Sequence, residues 1–238
     1  MKKDIEKIIK DRFIDLKPEI LSISDFIIRR SLLAAVNELK PKLKGKVLDL
    51  ACGIMPYKDY LMSDKIENYI GIDLESSEYH HEVKPDFYWN GSEIPLADSS
   101  VDFVLATEFL EHYFDTTIIL KEIKRVLKPG GVFFFTVPGI WPLHEAPYDY
   151  HRFTPFALEE HFKRAQYAST VIKPLGGIQY HFALSIALWF EFRFSKKYRN
   201  IIKPFLNIFI NSLIMKDNKK VPFQNRQMYS GLYGFVTK

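Results

Sequence analysis

Short apolar runs alternate with stretches of helical periodicity along most of this chain. Val47–Leu50, Tyr69–Leu74, Val101–Ala106 and Val132–Val137 are each too brief for a helix and are bounded by small or turn-forming residues, the mark of buried strands. Between the last two, the helical pattern from Leu120 to Lys128 is closed by Pro129-Gly130-Gly131. Further on, Thr154 to Ala165 reads as a helix, Thr170–Leu175 as a strand and Tyr229–Val236 as a final strand. Strands interleaved with helices predict an α/β fold, a mostly parallel open sheet wound on both faces.

The first strand and its turn carry the most information: Lys46-Val-Leu-Asp-Leu-Ala-Cys-Gly-Ile-Met-Pro-Tyr57. Open α/β sheets bind ligands beyond the carboxyl ends of their strands. Gly53 there lets a ligand approach the backbone without a side chain intervening, and Asp49 is expected to face the same crevice. Twenty residues past Gly53, the run Asn68-Tyr-Ile-Gly-Ile-Asp-Leu74 ends at another acid, Asp73. An acid at the tip of the second strand, at this spacing, accepts hydrogen bonds from ribose hydroxyls. The ligand is therefore expected to be a nucleoside. A dinucleotide-binding dehydrogenase uses a similar turn, but Ile54, Met55 and Pro56 put bulk and a proline where amides should meet a pyrophosphate.

Two further segments complete a series. Gly91-Ser-Glu-Ile-Pro-Leu-Ala-Asp-Ser-Ser leads into the strand at Val101 and then Thr107-Glu-Phe-Leu-Glu-His112, and Leu120–Gly131 leads into the strand at Val132. As a set, these motifs resemble the class I S-adenosylmethionine-dependent methyltransferases over about residues 45 to 175, together with the last strand. That family implies a seven-stranded, mostly parallel Rossmann-like sheet with an antiparallel last strand, and S-adenosyl-L-methionine as cofactor. Its alternating glycines are reduced here to Gly53, with Ala51 and Met55 in the other two positions, and Met55 is expected to wall the methionine end of the cofactor. The resemblance implies cofactor contacts from Asp49, Ala51, Cys52, Gly53, Asp73 and Leu74. It places Asn90 and Gly91 at the adenine, with an amide where aspartate is common, and Thr107 and Glu108 at the methionine end. Cys52 by itself reads as a small packing residue in the turn.

The loop after the fifth strand, Pro138 to Thr154, holds two histidines, two acids, an arginine and four aromatics. Leaving the carboxyl end of a strand, it should overhang the crevice and bind the acceptor. A hydroxyl acceptor must lose its proton as the new bond forms, and a histidine oriented by a carboxylate suits that task. His144 with Asp149 or Glu145 is one candidate base, and His112, read as a helix start after the fourth strand, is another. The plainer alternative is that these side chains tie the loop together, Arg152 bridging Asp149. His112, His144, Asp149 and His151 match no metal-ligand spacing, so no metal is expected. The run Trp141–Asp149 resembles loops of bacterial methyltransferases of polysaccharide and cell-envelope pathways, which implies a glycan or lipid-linked glycan acceptor methylated on oxygen. A carbon-methylating enzyme for a quinone-like lipid, and a cofactor-binding module without turnover, are the alternatives.

Composition adds the organisation. With 238 residues, 47% of them hydrophobic, the chain can bury a full core. A lone cysteine rules out an internal disulfide and fits a reducing cytoplasm. Residues 1–17 are charged and amphipathic, unlike a secretory signal. The expected division is an N-terminal helical segment over 1–44, a cofactor-binding domain over 45–175 and 228–238, and an aromatic, basic helical insertion over 176–227. Ile5, Ile8, Ile9, Phe13 and Ile14 share one face of the leading helices, which read as packing helices.

Within the insertion, Arg193 to Lys220 carries eight basic residues and one acid, a net +7 in a chain whose total is +4. Aromatic helices flanked by lysines suit the surface of an anionic membrane, at the inner face of which the protein would then sit. A homodimer interface or an added helical layer is the other reading. No run reaches the roughly eighteen apolar residues of a spanning helix, and no recognition motif for nucleic acid accompanies the charge.

Overall fold

The computed structural model describes residues 2–75 and 83–238. Its strands are β1 (Gly45–Leu50), β2 (Ile66–Leu74), β3 (Phe87–Trp89), β4 (Val101–Thr107), β5 (Leu127–Pro138), β6 (Ser169–Pro174) and β7 (Gly231–Thr237). Its α-helices are α1 (Lys2–Ile9), α2 (Ile23–Leu39), α3 (Lys58–Leu61), α4 (Thr116–Val126), α5 (Pro155–Arg164), α6 (Ile178–Arg193) and α7 (Lys196–Met215). They form two compact units, Asn37–Lys173 with Leu232–Lys238, and Met1–Val36 with Pro174–Gly231.

The first unit is built on a seven-stranded sheet of order β3-β2-β1-β4-β5-β7-β6. The pairs β1–β2, β1–β4, β2–β3 and β4–β5 are parallel. The last strand is antiparallel: Ala168 N–H meets the Thr237 carbonyl at 2.9 Å, while Leu175 N–H meets that of Gly231 at 2.8 Å, so one chain number falls as the other rises. Strand order reverses between β1 and β4, the switch point at which open sheets of this kind bind ligands. β5 explains the long apolar runs, since Phe133, Phe134 and Phe135 are all fully buried, as expected of a strand covered on both faces.

One boundary differs from expectation. The helix read to Lys128 stops at Val126, and Leu127 already pairs with Val101 in the sheet. Between that pair and Phe103–Val132 the register slips, and Gly130 at φ +75° bulges outward. Pro-Gly-Gly thus kinks a strand that has begun, rather than ending a helix.

In the second unit, α6 and α7 form a helical pair with the N-terminal segment. The inward stripe of α7 includes Lys203, Asn207, Ile210, Asn211 and Ile214. Lys203 Nζ donates to the carbonyls of Pro18 and Leu21, each at 2.8 Å, and Arg30 donates to Asn211 Oδ1 at 3.3 Å. The polar stripe of this helix therefore faces inward, and its apolar side is exposed: Phe205 is 74%, Ile208 71% and Met215 80% accessible. Among the described residues, no helix is long and apolar enough to cross a membrane.

Candidate active site

Two bends at the carboxyl ends of adjacent strands define the site. After β1, Ala51, Gly53 and Met55 all adopt left-handed backbone, at φ +55°, +50° and +48°. The trace of the alternating-glycine turn is kept although two of its glycines are gone, at a strain of about 1–3 kcal/mol for each non-glycine residue. Gly53 N–H donates to Asp73 Oδ2 at 2.9 Å, and Leu74 N–H to Asp73 Oδ1 at 2.8 Å. The acid at the tip of β2 is thereby fastened to the bend after β1.

Two neighbours of that bend, Asp49 and Met55, are directed differently from expectation, and a third, Cys52, packs as its residue type suggests. Asp49 does not face the crevice. It is buried, and accepts a hydrogen bond from Tyr69 Oη at 2.7 Å. Its partner in register is Gly71, so Tyr69 lies diagonally opposite on the same face of the sheet. Burial pushes the Asp49 carboxyl up to about 7, against the bond from Tyr69. Met55 does not wall the crevice either. Its side chain turns onto Gly71, where an added Cβ would come within 2.5 Å of the Met55 sulfur. Cys52 is buried, its thiol pushed up by burial, and it packs the turn.

Asn90 and Gly91 follow β3. The Asn90 side-chain oxygen accepts from Ser92 N–H at 2.9 Å, Ser92 Oγ at 2.8 Å and Glu93 N–H at 3.1 Å. It shapes the loop, with Gly91 in left-handed backbone at φ +83° and its carbonyl bonded by the Tyr113 hydroxyl.

The second bend follows β4. Thr107 pairs with Thr136 of β5, and Glu108 takes φ +52°. Glu108 N–H donates to the Thr136 carbonyl at 3.1 Å, and the Thr136 hydroxyl donates to Glu108 Oε1 at 2.8 Å. Burial pushes the Glu108 carboxyl up to about 7, opposed by that hydroxyl and by the charge of Arg152. His112 closes a single 3₁₀ turn, Leu110–His112, instead of starting a helix. α4 begins at Thr116, because Asp115 caps it by accepting from Thr117 N–H at 3.0 Å.

The loop after β5 meets this turn. Tyr150 and His151 N–H both donate to the Glu111 carbonyl, at 2.9 and 3.2 Å. His112 Nδ1 lies 2.8 Å from the Tyr148 carbonyl, and His144 Nδ1 lies 3.2 Å from Asp149 Oδ2. A carbonyl and an ionised carboxylate only accept, so both imidazoles carry a proton on Nδ1, and in the neutral ring the lone pair lies on Nε2. Asp149 accepts two bonds from Arg152, at 2.6 and 2.8 Å, which hold its carboxyl well below the usual range. The two imidazoles lie edge to face with centroids 4.7 Å apart. His151 turns away to the Phe114 carbonyl at 3.0 Å.

The structure thus brings His112, His144 and Asp149 together beside the bend that holds Glu108. Sequence reasoning missed Glu111. It is fully buried, neither carboxyl oxygen finds a hydrogen-bond donor among the described residues, and burial with the charge of Glu108 raises its pKa well above the carboxylate range. Its place next to His112 was readable. Its burial was not, since that depends on the loop about forty residues later folding back over it.

Residues 48–135 match a family model described as a methyltransferase domain. A protein of Mycolicibacterium smegmatis named a probable S-adenosylmethionine-dependent methyltransferase is 35% identical over 99 residues, covering 39% of this chain and 38% of that one. A demethylmenaquinone methyltransferase of Streptomyces griseus is 28% identical over 124 residues, covering 49% and 52%. The chain spans about half or less of the length of these curated relatives. Among solved structures, an S-adenosylmethionine-dependent methyltransferase of Thermotoga maritima, described as a possible histamine N-methyltransferase, superimposes with a TM-score of 0.58 at 16% identity, covering 97% of this chain and 99% of that one. At that identity the likeness is one of fold.

Proposed function

We propose, for a chain that belongs to the class I S-adenosylmethionine-dependent methyltransferases, that it transfers the methyl group of S-adenosylmethionine to an oxygen of a lipid-linked glycan. The observation that carries the donor half is the 2.9 Å bond between Gly53 and Asp73, which joins the ligand-approach bend to the ribose acid. Asp73 and Leu74 would take the ribose, Asn90 and Gly91 the adenine, and Thr107 and Glu108 the methionine end, with Ala51 and Gly53 under the chain of the ligand. Asp49, Cys52 and Met55 support this turn from beneath.

Methyl transfer from a sulfonium is an in-line displacement. An acceptor oxygen lone pair bonds to the methyl carbon, the carbon–sulfur bond breaks with its electron pair going to sulfur, and the sulfonium becomes a neutral thioether. Alignment of acceptor, methyl and sulfur supplies several kcal/mol of the barrier reduction. The acceptor proton passes to an imidazole at the edge lined by His112 and His144, with Asp149 holding His144 in position. An edge of imidazoles and carboxylates suits a hydroxyl acceptor better than a ring carbon.

A lipid-borne acceptor is supported by the helical unit. Trp189, Phe192, Phe205, Ile208 and Met215 are exposed on α6 and α7, and Arg193, Lys196, Lys197, Lys216, Lys219 and Lys220 flank α7 in the sequence or stand at its ends. Apolar contact plus about 1 kcal/mol per basic residue near an anionic surface would hold such a face to lipid. A quinone-like lipid methylated on carbon is the second reading, favoured by the relative named demethylmenaquinone methyltransferase.

The test is incubation with radiolabelled methyl donor and separated envelope and cytosolic fractions. Label is expected in lipid-linked sugar. Label confined to quinone would overturn the acceptor, and a calorimeter registering no heat with the donor would overturn the whole reading. Asp73→Ala is expected to weaken the donor by about 1–3 kcal/mol, since it removes a charged hydrogen-bond acceptor, and unchanged affinity would refute the role given to that residue.

A further inference from the structure

We propose that Glu111, His112 and His144 form a binding site for a divalent metal cation at the acceptor end of the crevice. The inference rests on the reading of an oxygen acceptor given above and deepens it.

The first observation is the Glu111 carboxyl. Its side chain is fully buried and both of its oxygens lack a hydrogen-bond donor among the described residues. Buried carboxylates are ordinarily paired, hydrogen-bonded or bound to metal. The His112 ring approaches this one with Nε2 at 3.7 Å from Oε1, beyond hydrogen-bonding distance, and Glu108, Asp149 and Arg152 act on it by charge without a hydrogen bond.

The second observation is how the two imidazoles are held. His112 donates through Nδ1 to a backbone carbonyl and His144 through Nδ1 to the Asp149 carboxylate, which leaves both Nε2 lone pairs available. That outer shell, a carbonyl or a carboxylate behind the ring, is what fixes the tautomer and orientation of metal-ligating histidines. Asp149 is itself steadied by two bonds from Arg152.

The third is distance. One ligand atom from each of Glu111, His112 and His144 lies within 4.8 Å of the others. An ion about 2.0–2.2 Å from each ligand requires separations of roughly 3–3.5 Å, so side-chain rotations that close the gaps by about an ångström complete the site. The backbone is already tied, because the Glu111 carbonyl accepts from Tyr150 and His151 of the loop that carries His144.

Two imidazoles and one carboxylate suit Zn²⁺, Mn²⁺ or Fe²⁺ and leave coordination positions open. An acceptor hydroxyl occupying one of them would have its pKa lowered by the cation; with both Nε2 atoms serving as ligands, its proton would pass to water instead of to an imidazole as the oxygen bonds to the methyl carbon.

The full chain, stripped with a chelator and dialysed, is to be titrated with Mn²⁺, with uptake read from loss of the free-ion electron paramagnetic resonance signal. One Mn²⁺ per chain is expected, displaced by Zn²⁺, with affinity at least about tenfold weaker in Glu111→Gln and in His144→Ala, while the heat of donor binding stays unchanged in both. No uptake by the wild-type chain at millimolar Mn²⁺, or undiminished uptake in both variants, overturns the site. If a variant does not melt cooperatively, the wild-type titration decides alone. Methyl transfer at full rate in chelator overturns the cation's role and leaves the proposed function standing. Stoichiometric uptake with no transfer to any fraction upholds the site and overturns the function instead.

Discussion

The helices of the sheet unit and those of the helical unit solve the same problem in opposite ways. α4 buries Ile119, Leu120, Ile123 and Val126 and is capped from the adjacent residue by Asp115. α5 is capped from the adjacent residue by Thr154, which accepts from Ala157 N–H at 3.2 Å. In the helical unit the caps come from far along the chain. Asp217 accepts from the N–H groups of Gly177, Gln179 and Tyr180 at 2.7, 3.1 and 3.3 Å, closing the start of α6 across 40 residues. Glu191 accepts from Ile23 and Ser24 N–H at 2.7 and 3.0 Å, closing the start of α2 across 168. α7 turns a lysine and two asparagines inward and its phenylalanines outward.

The difference teaches where each unit gets its order. The sheet unit is held by apolar burial, with capping as a local refinement. The helical unit buries less of its apolar surface and relies on partly buried charged hydrogen bonds that span long stretches of chain. Burial is non-directional and tolerates adjustment, whereas a carboxylate shared among three amide donors fixes a geometry.

The largest effect should come from the sheet. Phe134→Ala removes a fully buried ring that packs against Phe235 at a centroid distance of 5.2 Å, and thermal or urea unfolding should show a loss of about 3–5 kcal/mol. Next comes Asp217→Ala, which strips three amides of a charged acceptor. A loss of about 2–3 kcal/mol is expected, and a loss no greater than that of a local cap would break the contrast between the units. Asp115→Ala supplies that reference, with about 1 kcal/mol expected in the same denaturation experiment. The smallest effect on stability belongs to Phe205→Ser, within about 0.5 kcal/mol, because the ring is exposed. The same change should weaken co-sedimentation with anionic phospholipid vesicles by about tenfold, the cost of losing one aromatic side chain from an apolar contact. Vesicle binding that survives it would leave the outward face of α7 without the role given to it.

Much of the sheet could be read directly from the residues. Apolar runs ending at Leu50, Leu74, Ala106 and Val137 correspond to β1, β2, β4 and β5, since a strand buried on both faces must be apolar throughout. β3, only three residues long, left no such trace. In the site, Gly53 and Asp73 were legible because the spacing of strand tips follows from the connection between them. The directions of Asp49 and Met55 were not legible because they depend on what the neighbouring strand offers: Tyr69 as a hydrogen-bond donor, and Gly71 as an empty space. Left-handed backbone at Ala51 and Met55 had no residue-type signal, as neither residue prefers it.

By itself the sequence determined the alternation of strands and helices, the nucleoside-type bend and the charge of the insertion, all properties of residues near one another along the chain. Only the tertiary structure decided that Glu111 is buried beside His112 and His144 with no donor among the described residues, that Asp217 and Glu191 cap distant helices, and that α7 faces its polar stripe inward. Those facts depend on which remote segment arrives at a given surface, and hydrogen bonding and burial are settled only once it has arrived.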